Sequence, residues 1–158
     1  GTSTGVTYTQ GDIDTAAGST NVFARDSNDR NRIVAQLKDM NLTSSNFIVD
    51  SFKIDFALTN TNVVDSYDAF KFTNLDENMA VVNASDRLAI ERRELPVHNE
   101  QILMDFSNYR ASNYVLSLDT SEFNSTDVTA FLQDNFLNTT TALATGVNDI
   151  NISVSASD

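Results

Sequence analysis

Apolar and polar positions alternate with a period of two in several short stretches of this chain. In "SFKIDFAL", Phe52, Ile54, Phe56 and Leu58 share one face, while Ser51, Lys53 and Asp55 share the other. That is the pattern of a strand with one buried face. It recurs in "QILMDFS" with Ile102, Met104 and Phe106, in "NYVLSLD" with Tyr114, Leu116 and Leu118, and in "DINISVSA" with Ile150, Ile152 and Val154. Clusters of Asn, Asp, Ser and Thr separate these runs, as in "LTNTNVVDS", "FSNYRASN" and "TSEFNSTD". Their side chains bond to nearby backbone, which favours turns over continued strand. Repeated short strands with such turns predict an all-β fold, an antiparallel β-sandwich or a barrel.

Two stretches allow a second reading. "DRNRIVAQLKDMN" places Ile33, Val34 and Leu37 at helical spacing, and "STDVTAFLQDNFL" opens with a Ser or Asp that would cap a helix. Local pattern leaves helix and strand open for both. Residues 1–20 are poor in apolar side chains and begin with the weak strand "VTYT", so they read as a linker or an edge-strand segment. Residues 21–158 read as one sandwich domain.

"DRLAIERRELP", Asp86 to Pro96, concentrates Arg87, Arg92 and Arg93 within a short span. Written as a strand, it puts Leu88, Ile90 and then Arg92 on one face and Ala89, Glu91 and Arg93 on the other. Pro96 ends it, since proline cannot donate to a ladder. The arginines then meet carboxylates on neighbouring strands, and the expectation is a solvated face with ion pairs.

Composition narrows the classes of function. The chain has 158 residues, a formal net charge of -12 and no cysteine. The acidic balance repels polyanions, and no Lys/Arg stripe offsets it, which argues against nucleic-acid binding. No apolar run approaches the ~20 residues of a membrane-spanning helix. Without cysteine there is neither thiol catalysis nor Cys-ligated zinc nor a disulfide framework. That lack, with richness in Asn, Thr and Ser, leans towards an extracellular or cell-surface protein. The opening residues have no signal-peptide pattern, so an exported chain would be in its mature form.

"VDSYDAFKF", "LDENMAV", "DRLAIERRELP", "FSNYRASNYVLSLDTSEF" and "AFLQDNFLNTTTAL" occur in this order. Together, from about Asn28 to Val154, they resemble a β-sandwich module found near the C-terminus of large exported surface proteins of Bacteroidota, ahead of the type IX secretion sorting domain. The resemblance implies an all-β sandwich, jelly-roll-like or immunoglobulin-like, in which both ambiguous stretches become strands. It implies export, with the type IX secretion machinery as a partner through a sorting domain this sequence lacks, and so a piece of something longer. The Tyr67-Asp68-Ala69 turn, the strand from Leu88 to Pro96 and the strand at Leu132 to Asn135 read as scaffold in that family. No catalytic residue carries over.

Candidate chemistry is sparse. His98 follows Pro96 in a turn, no G-x-S-x-G elbow supports a triad, and nothing marks a carboxylate pair among the acids, so an enzyme is not expected. Calcium is the cofactor to weigh, because it takes oxygen ligands from Asp and Asn in loops. Asp26, Asn28 and Asp29 in "RDSNDRN" and Asp65 and Asp68 in "VDSYDA" have suitable spacing, although Arg30 opposes an ion at the first and an Asx turn competes at the second. Tyr109 beside Arg110 is a candidate platform for a glycan, against the alternative of a packed loop anchor. Thr15, in Asp14-Thr15-Ala16, fits a pattern that resembles the O-glycosylation signal of exported Bacteroidota proteins.

The expected function is therefore a non-enzymatic structural or adhesive module of a bacterial surface protein, with neighbouring domains or copies of itself as partners. The alternative is a carbohydrate-binding module of a secreted glycan-degrading enzyme. "NDINISVSASD" alternates without Lys, Arg or Pro, which makes it a poorly protected edge. It is expected to pair within the sandwich, with the segment around Val6 to Thr9 lying on another edge or on a neighbouring subunit.

Overall fold

The computed structural model describes residues 31–42, 47–97, 99–124 and 128–154. Among these residues the fold is all-β, with no helix. Its strands are β1 (Asn31–Asp39), β2 (Ile48–Phe56), β3 (Ala69–Phe70), β4 (Asn78–Asn83), β5 (Asp86–Arg93), β6 (Leu103–Ser107), β7 (Asn113–Asp119), β8 (Phe131–Asp134), β9 (Thr139–Ala142) and β10 (Val147–Ser153).

Each of the period-two stretches contributes a strand, though not every one keeps a single buried face. Phe52, Ile54 and Phe56 of β2 are buried, and β10 turns Ile150 and Ile152 inward. β7 is buried along both faces from Tyr114 to Leu118. Leu58 does not join the inward face, because β2 ends at Phe56 and the chain turns there, leaving Leu58 exposed. Both ambiguous stretches contain strands. β1 is paired along one edge with β2 and along the other with β7, so it buries Ala35 and Leu37 at strand spacing. Ladder pairing on both sides outweighs the helical spacing of Ile33, Val34 and Leu37, a tertiary override of local preference. Phe131–Asp134 pairs with Thr139–Ala142 as a separate hairpin.

The main sheet runs β10-β7-β1-β2-β5-β4-β6, with β3 attached to β5. The wholly antiparallel layout expected from the sequence does not hold: β2 and β5 run parallel, from Lys53 opposite Ile90 to Phe56 opposite Arg93. A tight hairpin can join only antiparallel neighbours, and here the chain leaves β2, passes through β3 and β4, and returns beside β2 in its original direction.

β5 organises this region. Leu88 is opposite both Val81 of β4 and Phe70 of β3, and Ile90 is opposite both Lys53 of β2 and Ala69 of β3. A strand residue has two edges, so β4 and β2 succeed one another along a single edge of β5 while β3 takes the other. β4 moves away beyond Val81, where Asn78 to Ala80 pair with β6 alone. The amide of Met79 there donates to Asp50 Oδ2 of β2 at 2.6 Å, and Lys71 Nζ reaches Asp50 Oδ1 at 2.5 Å.

The register between β3 and β5 slips by one residue, leaving Ala89 with no opposite number. An extra residue in one strand reverses the alternation beyond it. The buried positions of β5 are accordingly Leu88, then Glu91 and Arg93, not one continuous alternating set. The solvated face expected for the arginines is corrected in this respect. Arg93 is 8% exposed and Glu91 1%. Arg93 Nη1 donates to Glu91 Oε1 at 2.8 Å and Nη2 to Glu100 Oε1 at 2.6 Å. The ion pairs of Arg93 are buried, whereas Arg87 pairs with Asp105 at the partly exposed surface, as expected, and Arg92 bonds to Asn60 instead of a carboxylate.

The core lies where β1, β2 and β7 meet β4 and β5, and it includes Leu37, Phe52, Ile54, Met79, Leu88 and Leu116. Burying each such side chain contributes about 1.5 to 3 kcal/mol. Tyr114 carries a polar tip into it. Its hydroxyl donates to Glu77 Oε1 at 2.7 Å and accepts from the amides of Arg110 at 2.8 Å and Ala111 at 2.6 Å.

Candidate functional site

The β2–β3 connection is rich in Asn, Thr and Asp, and it holds its shape through side-chain bonds to its own backbone. Asp65 Oδ1 accepts from the amide of Tyr67 at 2.7 Å, the Asx turn that competes with metal binding in the sequence. Asp68 Oδ2 accepts from the amide of Asp65 at 2.8 Å, closing the turn from the other side. Asp68 Oδ1 accepts from the amide of Arg92 at 2.7 Å, which fastens the loop to β5.

That fastening brings two distant stretches together. The Arg92 guanidinium lies over the ring of Tyr67, 4.8 Å from its centroid. Arg92 Nη2 also donates to Asn60 Oδ1 at 2.9 Å, and Asn60 in turn donates to the carbonyl of Asp55 at 3.1 Å. Tyr67 is 69% exposed, so its ring is offered to solvent while its backbone is fixed. Thr59, Asn60, Thr61, Asp65, Tyr67 and Arg92 together line an open cleft of about 290 Å³. Its chemistry is an aromatic ring, one guanidinium, one carboxylate, an amide and two hydroxyls. A second cleft of about 260 Å³, lined by Arg32, Val34, Asp119, Ser121 and Glu122, has no aromatic member.

The sequence-derived calcium candidates fare differently. Asp26, Asn28 and Asp29 lie outside the described residues, as do Thr15 and His98. Asp65 and Asp68 are adjacent, but three of their four carboxylate oxygens accept backbone amides. Among the described residues no group of three or more His, Asp or Glu side chains gathers to hold a metal.

The glycan candidates Tyr109 and Arg110 are placed apart from the cleft. Tyr109 is half-buried against the core, its ring 5.4 Å from that of Tyr114 and tilted by 52°. Arg110 Nη2 pairs with Asp76 at 2.5 Å on the surface. The tyrosine thus packs beside the core while the arginine lies on the exposed rim, paired with a carboxylate. Tyr67 and Arg92 were not foreseen together, because their meeting depends on the β3–β5 pairing. The exposed tyrosine beside an Asx-forming aspartate was the one local signal.

Most charged groups serve the fold. Burial pushes the Asp55 carboxyl up, but hydrogen bonds from Lys53 and Arg32, at 2.8 and 2.6 Å, outweigh it and hold the group below its ordinary range. Burial likewise lowers the Arg93 guanidinium, and the bond to Glu100 with the charge of Glu91 more than offsets this and raises it. For Tyr114 burial, with Glu77 as acceptor, raises the hydroxyl above an ordinary phenol against the opposing pull of the two donated amides.

Comparisons with models of known protein families, with curated proteins and with solved structures find no match to this chain.

Proposed function

We propose that this chain is a non-enzymatic structural or adhesive module of an exported bacterial surface protein, and that it joins copies of itself by strand addition. The observation that carries this reading is the edge of β10. β10 pairs with β7 on one side and has no partner strand on the other among the described residues. It alternates half-buried Asn148, Ile150 and Ile152 with exposed Val147, Asp149, Asn151 and Ser153, and lacks Lys, Arg and Pro. Such an edge leaves its outer backbone donors and acceptors unpaired among the described residues, and Asp149 is the one charged residue on it to discourage pairing. A donated strand would gain affinity from backbone bonds and register from the alternate side chains.

The scaffold we infer is a β-sandwich, jelly-roll-like or immunoglobulin-like. Two features support it. The Tyr114 hydroxyl accepts from backbone amides three and four residues upstream, an arrangement akin to the tyrosine corner of Greek-key sandwiches. β5 hands one edge from β4 to β2, the kind of switch by which strands turn a corner between packed sheets. Export through the type IX route and a place among Bacteroidota surface proteins rest on the sequence resemblance alone.

Light scattering after size exclusion tests the assembly. The full chain should associate with rising concentration, and Val147→Lys or Asn151→Lys, at exposed positions of β10, should restore the monomer with an unchanged melting temperature. Deletion of residues 1–20, the donor segment in this scheme, should do the same. A chain that stays monomeric at every concentration, or association untouched by all three changes, would sink the proposal.

A further inference from the structure

We propose that the cleft beside the Tyr67–Arg92 stack binds a neutral glycan, one pyranose ring at a time. This inference is independent of strand addition at β10 and uses different elements.

The class of ligand follows from the groups that line the cleft. Arg92 contributes a positive charge and Asp65 a negative one, so neither a free anion nor a free cation meets a uniform field. An acidic polymer would also meet the protein's net charge of -12. A polyol satisfies both groups at once, accepting from the guanidinium and donating to the carboxylate. Asp65 Oδ1 is occupied by the amide of Tyr67, while its Oδ2 makes no hydrogen bond among the described residues. The Thr61 hydroxyl accepts from the amide of Val63 at 2.9 Å and keeps its proton to donate. Tyr67 supplies the apolar surface against which the C–H face of a pyranose packs.

Size and rigidity agree with this. At about 290 Å³ the cleft is at the lower limit of small-molecule sites, suited to a single ring and not to an extended chain lying inside it. The lining is fixed before any ligand arrives, by the Asx turn at Asp65, by Asp68 holding the Arg92 backbone, and by Asn60 holding its side chain. Preorganised groups lose little entropy on binding. The cleft also points to binding without cleavage. Asp65 is its one lining carboxylate, whereas the usual glycosidase mechanism uses two, and Asp68 is occupied by two backbone amides.

Affinity electrophoresis in gels containing hydroxyethylcellulose, laminarin, xylan, galactomannan or, as the anionic control, alginate tests the site, with calorimetry on the matching oligosaccharides. At least one neutral polymer should retard the protein. Tyr67→Ala should weaken that binding about tenfold, as expected for loss of a stacking surface, with at most a small drop in melting temperature, since the exposed ring gives up only its contact with Arg92. Tyr67→Phe should retain binding, and Thr59→Val, at an exposed hydroxyl of the rim, should weaken it without disturbing the fold. Retardation by no neutral polymer, retardation by alginate alone, or binding equal in Tyr67→Ala, Thr59→Val and the parent chain would each overturn the proposal.

Discussion

Asp50 of β2 accepts the backbone amide of Met79 at 2.6 Å, at the place where β4 parts from β5 and β2 takes over the same edge. The carboxylate does for that one amide what a ladder partner would otherwise do, and it neutralises Lys71, whose side chain is 7% exposed.

Asp50→Ala should therefore be severely destabilising, by about 3 to 5 kcal/mol, because it leaves a buried ammonium without its counter-charge. The double variant Asp50→Ala, Lys71→Met should recover a good part of that loss. Urea denaturation of the two singles and the double gives the coupling, and strictly additive losses would mean that the pair is not a unit.

Arg92 and Arg93 are neighbours in sequence with unequal roles. Arg93→Gln should cost about 3 to 5 kcal/mol, since it leaves the carboxylate of Glu91 buried and unneutralised. Arg92→Gln should cost about 1 to 2 kcal/mol, as it gives up a stacking contact over an exposed ring and a half-buried hydrogen bond to Asn60 but strands no buried charge. Equal losses on chemical denaturation would contradict the reversal of alternation at Ala89.

Tyr114→Phe removes one hydroxyl and three hydrogen bonds, leaving the Ala111 amide without its acceptor and Glu77 without that donor while the Arg110 amide keeps Glu77 Oε1 at 3.3 Å, and should cost about 2 to 3 kcal/mol. Its pH dependence has a definite sign. The folded-state hydroxyl titrates above its unfolded value, so its contribution is complete below about pH 10 and is lost as pH rises through the folded value. Melting temperatures across that range should fall more steeply for the parent chain than for Tyr114→Phe.

Asp55 governs the opposite limb. Its carboxyl titrates below its unfolded value, so the stability it contributes is present above about pH 3.9 and is lost as pH falls through the lower folded value. Asp55→Asn should reduce stability at neutral pH by about 1 kcal/mol, and the two proteins should converge in acid. Thermal melts taken between pH 2 and pH 7 measure the gap, and a constant gap would exclude this role.

Faces were readable in the sequence where a strand is regular and buried on one side. Phe52, Ile54 and Phe56, and likewise Ile150 and Ile152, announce their orientation by alternation alone. β1 was ambiguous because its state is decided by β2 and β7, not by its own spacing. β5 was misread beyond Ala89 because an extra residue opposite β3 carries no local mark. The cleft was half readable for the same reason. The turn at Asp65 and Asp68 is made by residues close in sequence, whereas Arg92 arrives through pairing with a distant strand.

β1 sits between a partner that follows it closely and another near the far end of the chain, since Val34 lies opposite Lys53 on one side and Asp119 on the other. Loop closure of that span must be met before the second ladder returns any free energy, so folding belongs to the slow, non-local class of milliseconds to seconds. In a chain emerging from a ribosome or a secretion pore, β1 and β2 can pair early while the other side of β1 waits for β7. During that interval the centre of the finished sheet is itself an edge, and its protection depends on how quickly the remainder of the chain is delivered.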